Sequence, residues 1–147
     1  MRIESGRFGH VEVDDSQIIH FDEGILGFPD SNRYILVPHE AESPFVWLQS
    51  VSQSNLAFLL INPTVVKPEY VVQLPDRVAK SLKLQKSSDG LVLAIVVVPE
   101  DPREMRMNLR APVVINTKER LGRQVVLEDM SLDLRCRVIP KDDGQAR

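Results

Sequence analysis

The apolar residues of this chain recur with a period of two, in short runs cut by proline and glycine. "GHVEVD" alternates through Val11 and Val13, and "RYILVP" is an apolar run stopped by Pro38. "LAFLLINP" is continuous and stopped by Pro63, while "LVLAIVVVP" lies between Asp89-Gly90 and Pro99. Alternate side chains on a strand point to opposite faces, so such runs specify half-buried or fully buried strands. "PFVWLQSV" places Phe45, Trp47 and Gln49 on one face and Val46, Leu48 and Ser50 on the other. "YVVQL" follows Pro68, and "APVVIN" and "RQVVLED" flank the turn-rich "TKERLG". "SLDLRCRVIP" alternates through Leu132, Leu134, Cys136 and Val138. The ten prolines stand mostly at run ends, where they stop strands and blunt sheet edges. The pattern predicts an all-β, mostly antiparallel fold: a small β-barrel-like or sandwich domain.

One stretch keeps a different period. "LPDRVAKSLKLQ" repeats Leu74, Val78 and Leu82 at intervals of four, with Pro75 suited to a first turn and "KSSDG" ending the element. This predicts one short helix that plugs a barrel mouth or covers an open edge. A length of 147 residues gives one core of ordinary size. A single domain is expected over 1–140, with the polar "KDDGQAR" as a flexible tail over 141–147.

Charge and cysteine usage narrow the class of function. The formal net charge is −3, whereas a chain that holds nucleic acid through its phosphates carries a basic excess, so no direct nucleic-acid binding is expected. Cys136 is the only cysteine. It has no disulfide partner within the chain, makes no zinc site by itself, and suits a reducing compartment. The longest apolar run, Leu91 to Val98, is too short to span a bilayer as a helix, and no apolar signal segment opens the chain. These features predict a cytoplasmic protein with no membrane contact.

No catalytic constellation stands out. His10, His20 and His39 sit in no recognisable motif, no two share an element at metal-ligand spacing, and there is no Gly-x-Ser-x-Gly elbow. His20 reads as a half-buried structural residue and Cys136 as a small core residue. "GILG" lacks the lysine and the strand-to-helix setting of a phosphate loop. Asp22-Glu23 and Asp142-Asp143 are adjacent pairs, which on a strand point to opposite faces. The reading is a protein without enzymatic activity, metal or cofactor. The alternative is a small β-barrel enzyme or ligand-binding protein, which requires a buried pocket with convergent polar groups and a histidine facing it.

What remains is surface. "FDEGILGFP" mixes turn residues with four bulky apolar ones. Phe21 and Ile25 are expected to anchor the turn, Gly24 and Gly27 to permit the bend, and Phe28-Pro29 to be presented rigidly to solvent. Phe21, Phe28, Phe45, Trp47 and Gln49 are the candidate contacts for a protein partner; the alternative for the aromatics, and the favoured one for Phe45 and Trp47, is core packing. Glu100, Asp101, Glu128 and Asp129 read first as a solvated face, and alternatively as candidates for a negative potential that steers a basic partner or repels phosphate.

"FDEGILGFPDSNRYILVP", "SPFVWLQSV", "LAFLLINP" and "NLRAPVVINTKERLGRQVVL" come in the order and spacing of one family. From about Ile18 to Leu127 the chain resembles the flagellar assembly factor FliW. It departs from that family in "TVVKPEYVVQLPD" and in the C-terminal strand. The resemblance implies a non-enzymatic, mostly antiparallel β-barrel-like protein of the bacterial cytoplasm, expected to be monomeric. It also implies two alternative partners. One is flagellin, held by its unassembled helical terminus. The other is the RNA-binding translational repressor CsrA, whose block on flagellin synthesis is relieved.

Overall fold

The computed structural model describes residues 1–40, 42–86 and 89–139. The tail expected over 141–147 lies outside them. A hairpin of β1 (Arg2–Ser5) and β2 (Gly9–Glu12) opens the chain. Then β3 (Ile19–His20), β4 (Arg33–Pro38), β5 (Phe45–Ser50), β6 (Ala57–Ile61) and β7 (Leu91–Val97) pair in succession, all antiparallel. Beyond β7, β8 (Arg106–Met107) and β9 (Val113–Asn116) lie end to end: β8 pairs with Val96 and Val97, and β9 with Leu91 to Leu93. β10 (Leu121–Gln124) returns antiparallel to β9 and meets β3 in one parallel contact, Leu121 opposite His20. The circuit β7-β6-β5-β4-β3-β10-β9 and back to β7 is a closed seven-stranded barrel. β11 (Cys136–Arg137) continues the sheet past β8, and α1 spans Asp76–Ser81.

The barrel is filled, as period-two strands require. Phe21, Tyr34, Leu48, Leu60, Leu93, Val113 and Ile115 form one buried cluster in its interior. Phe21 meets Tyr34 edge to face at 5.1 Å. A Cβ at Gly122 would overlap the Phe21 ring, so β10 has a side-chain-free position where that ring sits. The Tyr34 hydroxyl is buried without a hydrogen-bond partner among the described residues. Burial raises its pKa; the Ser31 hydroxyl opposes the shift but is itself engaged with Ser50 Oγ at 2.7 Å.

The outside of the barrel is not left to solvent either. Ile3 and Val13 of the N-terminal segment cover Ile35. Val78 and Leu82 of the helical segment cover Val114 and Val125. Cys136, Val138, Met107 and Leu109, with Tyr70 packed against them, cover Ile61, Ala94 and Val96. The helix therefore lies on an outer face of the barrel and neither plugs a mouth nor covers an edge.

Three sequence expectations change. "YVVQL" has no ladder partner, although its burial still alternates: Tyr70, Val72 and Leu74 are half-buried, Val71 and Gln73 exposed. "SLDLRCRVIP" is a strand only at Cys136–Arg137. Upstream, Asp129 turns the chain by accepting from Ser131 N, and Asp133 does so at Arg135 N. The Arg110 guanidinium holds the resulting bulge through the carbonyls of Leu132 and Met130. The turn in "TKERLG" is shorter than expected, because Leu121 and Gly122 already belong to β10.

Candidate functional site

The corner at residues 21–32 is braced from several directions. The Phe21 amide donates to Asn32 O at 2.7 Å, and Asn32 Nδ2 donates back to the carbonyls of Phe21 at 2.9 Å and Asp22 at 3.2 Å. The Phe28 amide donates to Ile25 O at 2.7 Å. Gly24 has φ +64° and Gly27 φ +90°, left-handed conformations that favour glycine. Gln124 of β10 accepts from the Leu26 amide at 2.9 Å and donates to Ala111 O, fastening the corner to the barrel wall.

This bracing divides the corner's apolar residues. Phe21 and Ile25 are buried, at 0% and 2% exposure. Phe28 lies edge to face on Phe58 at 5.5 Å and keeps 38% of its surface exposed, and Leu26 keeps 67%. Leu26 and Phe28 thus project from a stiff loop over a half-buried aromatic. Phe21 is corrected as a contact residue: it is a core side chain with no surface to offer. Leu26, which the sequence reading does not name, is the more exposed of the two outward apolar side chains, as its place between the buried Ile25 and the glycine turn allows.

The row Phe45, Trp47 and Gln49 does face outward from β5, as its alternation predicts, but parts of the chain itself cover it. Gln49 is fully buried. Its Oε1 accepts from Ser5 Oγ at 2.7 Å, and its Nε2 donates to the carbonyls of Ser50, Ser54 and Leu56. Its expected role as a partner contact is therefore replaced by tying the N-terminal hairpin to the barrel. Trp47 is half-buried beneath Phe8, edge to face at 6.1 Å, and the Arg7 guanidinium, 4.1 Å from the ring centroid. Phe45 is half-buried against His39 and the covering cluster of Ile61 and Met107.

The acidic candidates also separate. Asp101 caps the turn at Pro102–Glu104 and binds Arg103 through both carboxylate oxygens. That hydrogen bonding holds its carboxyl below the usual range. Asp129 accepts from the Ser131 hydroxyl and amide, which lowers its pKa likewise. Glu104 is bound by Arg137 at 2.9 Å and approached by Arg106. Glu100 and Glu128 are exposed and take part in no ion pair among the described residues. Of the four, Asp101 is paired with a cation, Arg103, whereas Asp129 is bonded to the neutral Ser131 and keeps its charge as Glu100 and Glu128 do.

The histidines do not converge. His10 pairs with Glu4 at 3.3 Å, and His39 contacts Ser43. His20 is exposed, not half-buried, and borders a cleft of about 60 Å³ with Asp22, Glu23 and Arg123. Among the described residues, no group of three or more His, Cys, Asp or Glu side chains is placed to hold a metal ion. A cleft of about 290 Å³ lies outside the barrel between Tyr70, Leu109 and Leu132. Its Tyr70 hydroxyl donates to Leu109 O at 2.6 Å, and burial pushes its pKa up to about 12. Cys136 is buried and burial raises its thiol pKa, as for a core residue. No helix is long and apolar enough to cross a membrane among the described residues.

The family profile described as FliW protein matches residues 2–138. The flagellar assembly factor FliW of Caldicellulosiruptor saccharolyticus is 43% identical over 133 residues, covering 90% of this chain and 87% of that protein. The flagellar assembly factor FliW of Desulfitobacterium hafniense is 39% identical over 145 residues, covering 99% of this chain and 95% of its own. A crystal structure of the flagellar assembly factor FliW superposes with a TM-score of 0.89 at 32% identity, over 97% of this chain and 99% of that one.

Proposed function

Because the chain belongs to the FliW family of flagellar assembly factors, we propose that it is a cytoplasmic, non-catalytic regulator that binds flagellin and, alternatively, the translational repressor CsrA. Family membership carries this reading, and the braced corner gives it a place to act. A flagellin terminus that is unfolded until assembly folds on binding by laying its apolar face on a surface. Leu26 and Phe28 supply such a surface, already ordered by the Gln124 and Asn32 contacts. Rigid apolar groups lose little entropy on binding, which suits them as anchors.

Titration of the purified protein with flagellin and with CsrA tests the proposal: complexes form with both at micromolar protein, and failure to bind either overturns it. The corner is tested by Leu26→Ala and Phe28→Ala. Leu26→Ala is expected to leave the unfolding free energy within about 0.5 kcal/mol of wild type. Together the two substitutions weaken flagellin binding roughly tenfold or more. A lowered melting temperature with unchanged flagellin affinity would mark a purely structural corner.

The relief of repression is electrostatic in this proposal. CsrA is basic where it holds RNA, so an acidic partner docked nearby weakens RNA binding by about 1–3 kcal/mol. Glu100→Lys with Glu128→Lys leaves the turns of Asp101 and Asp129 intact. The pair of substitutions reduces RNA release from CsrA more than it reduces flagellin binding. Equal losses in the two assays count against the electrostatic account.

A further inference from the structure

We propose that the outward side of α1 and the cleft at its C-terminal end form a cationic docking surface for an acidic, extended segment of a partner protein. This goes beyond the flagellin and CsrA reading and does not depend on it. Arg77, Lys80, Lys83, Lys86 and Lys118 are exposed, and none is in an ion pair among the described residues. In a protein of net charge −3, a patch of unpaired cations is a segregated feature of the surface and attracts an anion.

The geometry orders the cations into a track. Arg77 and Lys80 stand three residues apart on α1, both exposed while Val78 is buried, and Lys83 follows where the helix ends. Lys83 and Lys118 then face a cleft of about 400 Å³, lined also by Gln85, Asn116 and Thr117. Its base is fixed by Asn116, 6% exposed. The Asn116 amide donates to Leu82 O at 2.8 Å and Lys83 O at 3.3 Å, and its Oδ1 accepts from the Lys118 and Glu119 amides. One buried side chain thus holds the two cationic walls in register.

The lining chooses among anionic partners. Among the described residues no aromatic side chain lines the cleft for a base to stack on; Asp89 and Glu119 balance Lys83 and Lys118 in its lining, so the excess of cations lies with Arg77, Lys80 and Lys86. The lack of a stacking platform disfavours a single-stranded nucleic acid. Among the described residues Leu84 is its only apolar lining side chain, too little for insertion into a lipid surface. An extended peptide repeats same-face side chains about every 7 Å, so its carboxylates can follow the track while its backbone meets Gln85 and Thr117.

The test is fluorescence anisotropy with a labelled Glu-Ala repeat peptide, a Lys-Ala peptide of the same length and an oligouridylate. The wild-type protein is expected to bind the Glu-Ala peptide, more weakly as salt rises, and to bind the other two poorly. Lys80→Gln with Lys83→Gln and Lys118→Gln should weaken that binding roughly tenfold. Lys67→Gln with Arg135→Glu, the same change in net charge on another face, should leave it unchanged. All five substituted side chains are exposed, and thermal melts of both variants should match wild type. Absent binding of the Glu-Ala peptide, equal loss in the two variants, or oligouridylate binding as tight as the peptide's overturns the proposal.

Discussion

Phe21→Ala is expected to lower the unfolding free energy by about 3–5 kcal/mol, the range for removing a buried phenyl ring from a core that relaxes only in part. For a domain whose whole stability is of order 5–15 kcal/mol, that is a large fraction of it. Urea unfolding followed by Trp47 fluorescence reads the shift in midpoint. The residue is fully buried, and its ring serves three purposes at once: it fills the barrel, meets Tyr34 edge to face, and occupies the place where β10 carries Gly122. Gly122→Ala should destabilise by the opposite route, through overlap of the new methyl group with that ring. Shortening the ring in Phe21→Leu should then recover part of the loss caused by Gly122→Ala. Additive losses in that double-mutant cycle would show that the two positions do not share the space.

Gly24→Ala is the second large effect, and Gly27→Ala is its control. At Gly24 a Cβ would lie 2.6 Å from Phe28 O and 2.8 Å from Pro29 Cα, both backbone atoms that do not swing aside, and φ is +64°. At Gly27 φ is +90° and a Cβ meets nothing within 4 Å. The first substitution therefore carries conformational strain and collision, the second strain alone. A loss of about 2–3 kcal/mol is expected at Gly24 against about 1 kcal/mol at Gly27. Hydrogen exchange locates the damage. The Phe28 and Ser31 amides, which donate to Ile25 O and Phe28 O, should lose protection in Gly24→Ala and largely keep it in Gly27→Ala.

The period of two was enough to find most barrel strands and to orient β5 correctly, with Leu48 inward and Trp47 outward. It did not reveal what lies outside. A strand's outer face reads the same whether water, a partner or another part of the chain covers it. The N-terminal hairpin covers Gln49 and Trp47, which is why that row looked like a contact surface and serves mainly as an attachment. Alternation failed differently at the C-terminal segment, where Asp129 and Asp133 turn the backbone and Leu134 is left 49% exposed. There, side chain to backbone bonding outweighed the apolar pattern. The corner was more legible, because glycine and proline restrict the backbone directly. Its buried pair and its presented Phe28 were foreseen, and Leu26 was the addition.

The barrel closes through elements far apart in the chain. Leu121 meets His20, and β9 completes the circuit on β7. Loop closure on that scale is slow compared with local pairing. During synthesis, the strands from β3 to β7 emerge before β9 and β10, so both β3 and β7 present open edges until the last third of the chain leaves the ribosome. Unpaired edges are sites of mispairing between nascent chains. Ribosome-bound chains ending before Val113 should therefore be markedly more protease-sensitive and aggregation-prone than chains extended past Gln124, and the step between them would time the moment at which the barrel becomes a barrel.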